Sequence, residues 1–411
     1  MGVGGATAAG GRSAGAKGHV VVVGGGYAGA TTAKYLRMWS GGAVAVTLVE
    51  PNDDFVSCPI SNLVLGGSKT MGFITSSYAK LESVHGVKRV KSTVASVDAA
   101  GKAVVLADGT RIGYDRLVLA PGVDFDYGKL PGLASPAAQA QVLHAWKAGP
   151  QTAALRRQLE AMPDGGVYAL AIPRAPYRCP PGPYERACQV ASYFKAEKPR
   201  SKVLVLDANE DVTSKGKLFK AAWSELYPGI VEYRANHTLT DVDVAGRRLL
   251  FEFNDPVKAD VLNVVPPMGA GAIAVRSGLA TANGRWCEVD FLTFESKAAK
   301  GIHVLGDSIQ VAPAMPKSGH MANQHAKVAA AAILAQLDGR EVSRTPVVTN
   351  TCYSFVSAQE VVHVASVHQY DAAKQTFLAV PGAGGLSPSR NRLEAVTGLA
   401  WAVNIWADTL A

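Results

Sequence analysis

Apolar and polar positions divide the chain into short, nearly continuous apolar runs and longer stretches of mixed pattern. Val20-Val21-Val22-Val23 is one such run, and Val44 to Val49 is a second. Runs rich in β-branched residues without polar alternation predict strands covered on both faces, as in a parallel sheet. Between these two, Ala30 to Met38 predicts a helix. The strand–helix succession recurs at Gly166 to Ile172 and Arg186 to Lys195. Leu117-Val118-Leu119-Ala120 and Ile302-His303-Val304-Leu305 predict two more covered strands, which run into Pro121-Gly122 and Gly306-Asp307. Asp108-Gly109-Thr110 predicts a hairpin turn. Met321 to Leu337 predicts a helix, and so does Leu393 to Leu410, whose apolar residues include Trp401 and Trp406 and are expected to dock on the protein's own core. Strands alternating with helices predict an α/β fold.

The first strand leads into Gly24-Gly25-Gly26-Tyr27-Ala28-Gly29 and then directly into a helix. This is G-x-G-x-x-G in its strand–turn–helix setting, and Glu50 ends the next strand about 20 residues on. Gly24 is expected to make the tight turn, Gly26 to let a pyrophosphate approach the helix N-terminus, and Gly29 to allow close helix–strand packing. Glu50 is placed to hold ribose hydroxyls. A dinucleotide site follows from this spacing.

Composition narrows the picture. A chain of 411 residues with 48% apolar residues suggests two or three domains with a large core. The formal charge is +8, but lysines and arginines are spread out, which excludes a nucleic-acid stripe. No apolar run reaches the ~18–20 residues of a membrane span. Residues 1–17 are Gly/Ala-rich and expected to be a disordered start or leader remnant. The five cysteines (Cys58, Cys179, Cys188, Cys287, Cys352) form neither C-x-x-C nor C-x-x-C-H, so no zinc ribbon and no c-type haem attachment is expected on this chain. His320 and His325 lie five apart, off the i,i+4 alignment of helical metal ligands, and no metal site is expected.

Tyr114 to Gly122 resembles the strand and glycine turn of two-dinucleotide flavoproteins, and Gly301 to Asp307 resembles their second FAD signature, with Asp307 on the ribityl chain. In such proteins the turn after the second domain's first strand holds a nicotinamide pyrophosphate. Here that turn is Tyr177-Arg178-Cys179-Pro180-Pro181-Gly182-Pro183-Tyr184-Glu185-Arg186. Proline has no N–H to offer a phosphate, so thiol chemistry is expected in place of NAD(P)H. Together with Cys58-Pro59-Ile60-Ser61-Asn62, Met315-Pro316-Lys317-Ser318 and Thr351-Cys352-Tyr353, this turn resembles the flavoprotein subunit of flavocytochrome c sulfide dehydrogenase, over residues 18–411. That family lies within the disulfide reductase superfamily, close to sulfide:quinone oxidoreductases.

The resemblance implies two Rossmann-like domains, the first binding FAD, plus a C-terminal interface domain. The FAD domain is expected over 18–140 and 285–345, the second domain over 141–284, and the interface domain over 346–411. Pro121, Gly122, Gly306, Asp307, Lys317 and Ser318 are expected around the FAD, with the helix N-terminus after Ser318 aimed at the flavin. Cys58 is implied to carry the flavin as a thioether. Cys179 and Cys352 are implied to be the redox pair that sulfide attacks. Glu185, in a dry pocket near thiolates, is expected to have a raised pKa and to exchange protons with sulfur. Cys188 and Cys287 are expected to be packing residues. Trp406 is a candidate to cover the flavin. The implied function is oxidation of sulfide to persulfide, polysulfide or sulfur, with electrons leaving to a separate c-type cytochrome in a periplasmic heterodimer. The alternatives are a sulfide:quinone oxidoreductase, a non-catalytic FAD-containing sulfur-binding subunit, and an NAD(P)H-linked disulfide reductase.

Overall fold

The computed structural model describes residues 17–411. The leader remnant expected over residues 1–17 lies outside the described residues except for Lys17, whose ammonium pairs with Asp338 at 3.2 Å. In chain order the elements that build the site begin with β1 (His19–Val23), α1 (Tyr27–Trp39), β2 (Ala45–Val49), α2 (Ser61–Leu65), β3 (Lys88–Val90), β4 (Arg116–Leu119) and β5 (Val123–Phe125). Next come β6 (Val167–Ile172), α3 (Gly182–Glu197), β7 (Lys202–Asp207), α4 (Gly216–Leu226), β8 (Val231–Arg234), β9 (Val261–Val264) and β10 (Met268–Ala270). The chain ends with β11 (Ile302–Val304), α5 (Gly319–Leu337), β12 (Val347–Phe355), β13 (Val361–Asp371), β14 (Thr376–Leu386) and α6 (Arg392–Leu410).

Three sheets carry the fold. The first is parallel, in the order β11–β4–β1–β2–β3. Its central residues Val20, Val21, Val22, Leu117, Val118 and Leu119 are all fully buried, which is why these runs lack polar alternation. The second is parallel, in the order β8–β7–β6–β9. The third is antiparallel, β12–β13–β14. An antiparallel ribbon of β5 and β10 ties the first two units together.

One apolar core runs through the first sheet, α1, α3, α5 and α6, and a second cluster around Ala169, Leu204, Leu249 and Val264 covers the other face of the second sheet. Helix α3 starts at Gly182, one turn before the predicted Arg186. Pro183 fits this first turn because its missing N–H has no intrahelical partner there anyway. Ser318 caps α5 by accepting a hydrogen bond from the N–H of Met321 at 3.0 Å. Asn391 caps α6, accepting from Glu394 N at 2.8 Å. Helix α6 packs on α1, where Trp406 is bonded to Tyr27 and Thr409 to Thr31.

Candidate active site

A cavity of about 690 Å³ opens where the three units meet. Its dinucleotide end is built by the turn between β1 and α1. Gly24 has φ +95°, and a Cβ there would lie 2.5 Å from the carbonyl oxygen of Ala120. Gly29 stands behind the cavity, where a Cβ would meet the Gly24 carbonyl oxygen at 1.8 Å. At Gly26, which lines the cavity, a Cβ would meet nothing within 4 Å. The first two glycines therefore permit close backbone packing, and the third leaves open room for a ligand. The Glu50 carboxylate lines the same end and accepts from Gly25 N at 2.6 Å and from Asn52 N at 2.8 Å.

Pro121, Gly122, Gly306, Asp307 and Ser318 continue the wall. The Asp307 Oδ1 is buried without a hydrogen-bond partner, and so is the Nε of Arg178 across from it. Burial raises Asp307 above the usual carboxylate range, opposed by Arg178 and Lys317. A hydroxyl-bearing ligand supplies the donor that this oxygen lacks. Glycine cradle, ribose-side acid and orphaned aspartate together fit an FAD.

Three thiols line the cavity, one from each unit. Cys58, shortly before α2, accepts from Ala148 N at 3.4 Å. Cys179 sits in a left-handed turn, φ 58°, with its N–H donated to the carbonyl of Lys317 at 2.8 Å. On β12 the alternation of side chains puts Asn350, Cys352 and Ser354 on one face. The Asn350 amide donates to Cys352 Sγ at 3.4 Å, and its oxygen accepts from Ser318 Oγ at 2.6 Å. All five cysteines are free thiols, and Cys188 and Cys287 are fully buried away from the cavity. Burial pushes the Cys179 thiol up, and the neighbouring Cys352 and Glu185 add to this. Burial also raises Cys352, offset chiefly by the ammonium of Lys215.

Glu185 lines the cavity from the first turn of α3. Its Oε1 accepts from Phe355 N on β12 at 2.8 Å, and its Oε2 from Asn62 Nδ2 on α2 at 2.8 Å. Burial raises its pKa against these two bonds. Beside it the Arg186 guanidinium is 2% exposed and donates to Asn62 Oδ1, His144 O, Ala145 O and Asn263 Oδ1, at 2.6 to 3.1 Å. Glu185 and Arg186 thus fasten α3 to the first and third units at the level of the thiols.

Two expected residues stand elsewhere. The Lys317 ammonium does not line the cavity. It donates to the carbonyls of Asp307 at 2.9 Å and Ile309 at 2.5 Å, lies 3.6 Å over the Trp286 ring, and is lowered by burial to about 7. Only its carbonyl reaches the site, through Cys179. Trp406 is also behind the wall, donating its indole N–H to Tyr27 Oη at 3.0 Å. Of the two tryptophans on α6, the one on the cavity is Trp401, edge-on to His320 at 5.6 Å and tilted against Tyr353 at 5.8 Å. At about 100° per helical residue, the two tryptophans point roughly 140° apart, so one helix face cannot present both. Arg178 and Lys215 were not singled out from the sequence. Arg178 was visible as the cation next to Cys179, whereas nothing local marked Lys215.

The family model "Sulfide dehydrogenase (flavocytochrome c) flavoprotein chain, central" matches residues 152–266. "Flavocytochrome c sulphide dehydrogenase, flavin-binding" matches 344–410, and "Pyridine nucleotide-disulphide oxidoreductase" matches 18–160. The chain is 62% identical over 46 residues to the flavoprotein chain of sulfide dehydrogenase (flavocytochrome c) from Chlorobaculum thiosulfatiphilum, covering 94% of that sequence and 11% of this one. It is 26% identical over 312 residues to the mitochondrial sulfide:quinone oxidoreductase of Mus musculus. That match covers 71% of this chain and 66% of the relative, so the chain spans just under two thirds of the mouse protein. Among solved structures, the sulfide:quinone oxidoreductase of Aquifex aeolicus superposes with a TM-score of 0.77 at 18% identity, over 95% of this chain and 91% of that one. This likeness establishes the fold, a pyridine nucleotide-disulfide oxidoreductase type with Rossmann-like units.

Proposed function

The chain belongs to the family of flavocytochrome c sulfide dehydrogenase flavoprotein chains, and from that premise we propose that it oxidises sulfide through the thiols Cys179 and Cys352 and bound FAD, with a separate c-type cytochrome as electron acceptor. The observation that carries this reading is the meeting of three thiols, one from each unit, in one dinucleotide cavity. In the oxidised pair, hydrosulfide attacks one sulfur. A new S–S bond forms as a persulfide, the old S–S bond breaks, and the other cysteine leaves as a thiolate. Two electrons from the sulfide then reside in the reduced pair. FAD, when bound, accepts an electron pair and releases it singly, as a haem requires.

The chain's own residues prepare the thiols. Glu185, with its raised proton affinity, takes or returns the thiol proton at a carboxylate oxygen. Arg178 faces Cys58, Asp307 and Cys179 with positive charge. The first turn of α5, from Ser318 to His320, lines the cavity with helix N-terminal N–H groups that favour negative charge. Gly24, Gly26, Glu50 and Asp307 would hold the FAD, and Cys58, whose thiol lines the cavity, would carry it as a thioether. Trp401 shields the cavity from water. A periplasmic heterodimer completes the proposal.

The test is anaerobic addition of sulfide, followed by cytochrome c. Bleaching of the flavin and reduction of cytochrome, both abolished in Cys179→Ser and Cys352→Ser, are expected. Bleaching with transfer to quinone but not to cytochrome overturns the partner, and persistence in both variants overturns the thiol chemistry. One observation favours the quinone-linked alternative: Leu393, Val396 and Val403 lie exposed along one stripe of α6. Among the described residues no helix is long and apolar enough to cross a membrane.

A further inference from the structure

Lys215 lies just before α4 in a left-handed turn, φ 57°, and is 6% exposed. Its ammonium donates to the carbonyl of Cys352 at 3.0 Å, the hydroxyl of Ser354 at 2.7 Å and the carbonyl of Val362 at 3.3 Å. All three partners are neutral. An ammonium withdrawn from water is costly unless an anion balances it. Burial lowers Lys215 to about 8, and the acids acting on it are Cys352, Glu185, Cys179 and Glu394. Of these, Cys352 is the one whose backbone it already grips.

We propose that Lys215 is a positioning residue of the redox pair: it clamps the Cys352 strand to the unit that carries Cys179 and supplies the counter-charge for Cys352 as a thiolate. This inference rests on the assignment of Cys179 and Cys352 as that pair. The step concerned is a proton transfer alone. The S–H bond of Cys352 breaks, the proton leaves by way of the Glu185 carboxylate to water, and a thiolate–ammonium pair replaces a thiol beside an unbalanced ammonium. The thiolate is the reactive form of a cysteine. The other groups around Cys352 do not supply this charge. Glu185 on α3 and the thiol of Cys179 oppose it, and Glu394 on α6 acts on Lys215 itself. His320 on α5 is held neutral by burial and accepts from Thr351 N at 2.9 Å. Arg178 acts on Cys179. The Asn350 amide adds a neutral hydrogen bond from the same strand.

The experiment follows iodoacetamide alkylation of Cys352 against pH by peptide mass, in reduced full-length protein without sulfide, with Cys188 and Cys287 as internal controls. Lys215→Gln and Lys215→Met are expected to move the half-reaction pH of Cys352 upward by at least about one unit, close to a tenfold loss of rate near neutrality. Lys215→Arg, which keeps the charge, is expected to hold the wild-type profile. A folded Gln or Met variant with the wild-type profile overturns the inference. If neither folds, Ser354→Ala takes their place: it loosens the ammonium without removing it, a smaller upward shift is expected, and an unmoved profile overturns the inference. Because no turnover is measured, a shifted profile in a protein that never oxidises sulfide leaves Lys215 in this role and removes the proposed function instead.

Discussion

Alanine at each of the three motif glycines separates folding from cofactor binding. At Gly24 the backbone has φ +95°, outside the regions open to an L side chain, and the Cβ falls 2.5 Å from Ala120 O. Strain of about 1–3 kcal/mol and overpacking of about 1–3 kcal/mol add up. Neither strand can yield, because β1 and β4 are held in parallel register from Val20 to Val23. Gly24→Ala is therefore expected to cost about 2–6 kcal/mol, a large part of the ~5–15 kcal/mol of a typical fold. Gly29→Ala, with a 1.8 Å contact to a backbone oxygen, is expected to be worse. Gly26→Ala differs in kind. Its backbone (φ −71°, ψ −168°) suits any residue and its Cβ enters open space, so the flavin-free protein is expected to lie within about 0.5 kcal/mol of its parent. The methyl instead occupies ligand volume, and a clash of about 1–3 kcal/mol weakens FAD roughly 5- to 150-fold. The assay is thermal unfolding of flavin-free protein together with flavin retained after desalting, in a Cys58→Ser background so that binding is reversible. A Gly26→Ala protein that melts as early as Gly24→Ala, or that keeps flavin as its parent does, refutes the placement of the dinucleotide.

Three further outcomes follow from the same geometry. Trp406→Ala is expected to cost about 3–5 kcal/mol, because the ring is buried and its N–H is bound to Tyr27; Trp401→Ala should melt nearer the parent yet change flavin fluorescence, and calorimetry with fluorescence checks both. Arg186→Lys loses a fork that serves four acceptors; each one stranded costs about 1–3 kcal/mol, so the melting point is expected to fall sharply and sulfide-dependent bleaching with it. Burial raises Glu185 in the folded protein, so its favourable contribution is complete below the unfolded carboxylate value of about 4.3 and is lost as pH rises through the folded value. Melting points of Glu185→Gln are expected to decline less than wild type as pH is raised from about 4.3, and parallel curves count against a raised Glu185.

The parallel sheets were legible because runs such as Val20 to Val23 need cover on both faces, and only strands between helices supply it. The dinucleotide end was legible because its chemistry is local: three glycines and an acid at fixed spacing. Cys179 was marked by its proline-rich turn, whereas Cys58 and the partner Cys352 were reached through resemblance, since no spacing links residues so far apart in sequence. What escaped was set by tertiary contact. Lys215 has no motif around it and gains meaning only when β12 packs against the turn before α4. Lys317 reads as a cation near the site, but its ammonium turns away to the carbonyls of Asp307 and Ile309. Trp401 and Trp406 look equivalent in sequence, and only the orientation of α6 chooses between them.

Because Cys179 and Cys352 are contributed by different units, a chain with either of these two units out of place holds the two thiols apart. Thiols held apart cannot close a disulfide between them. For the proposed thiol chemistry, completeness of folding is then a precondition. A fragment lacking β12 and α6 also lacks the cavity wall that carries Cys352 and Trp401, which is woven last, from the far end of the chain.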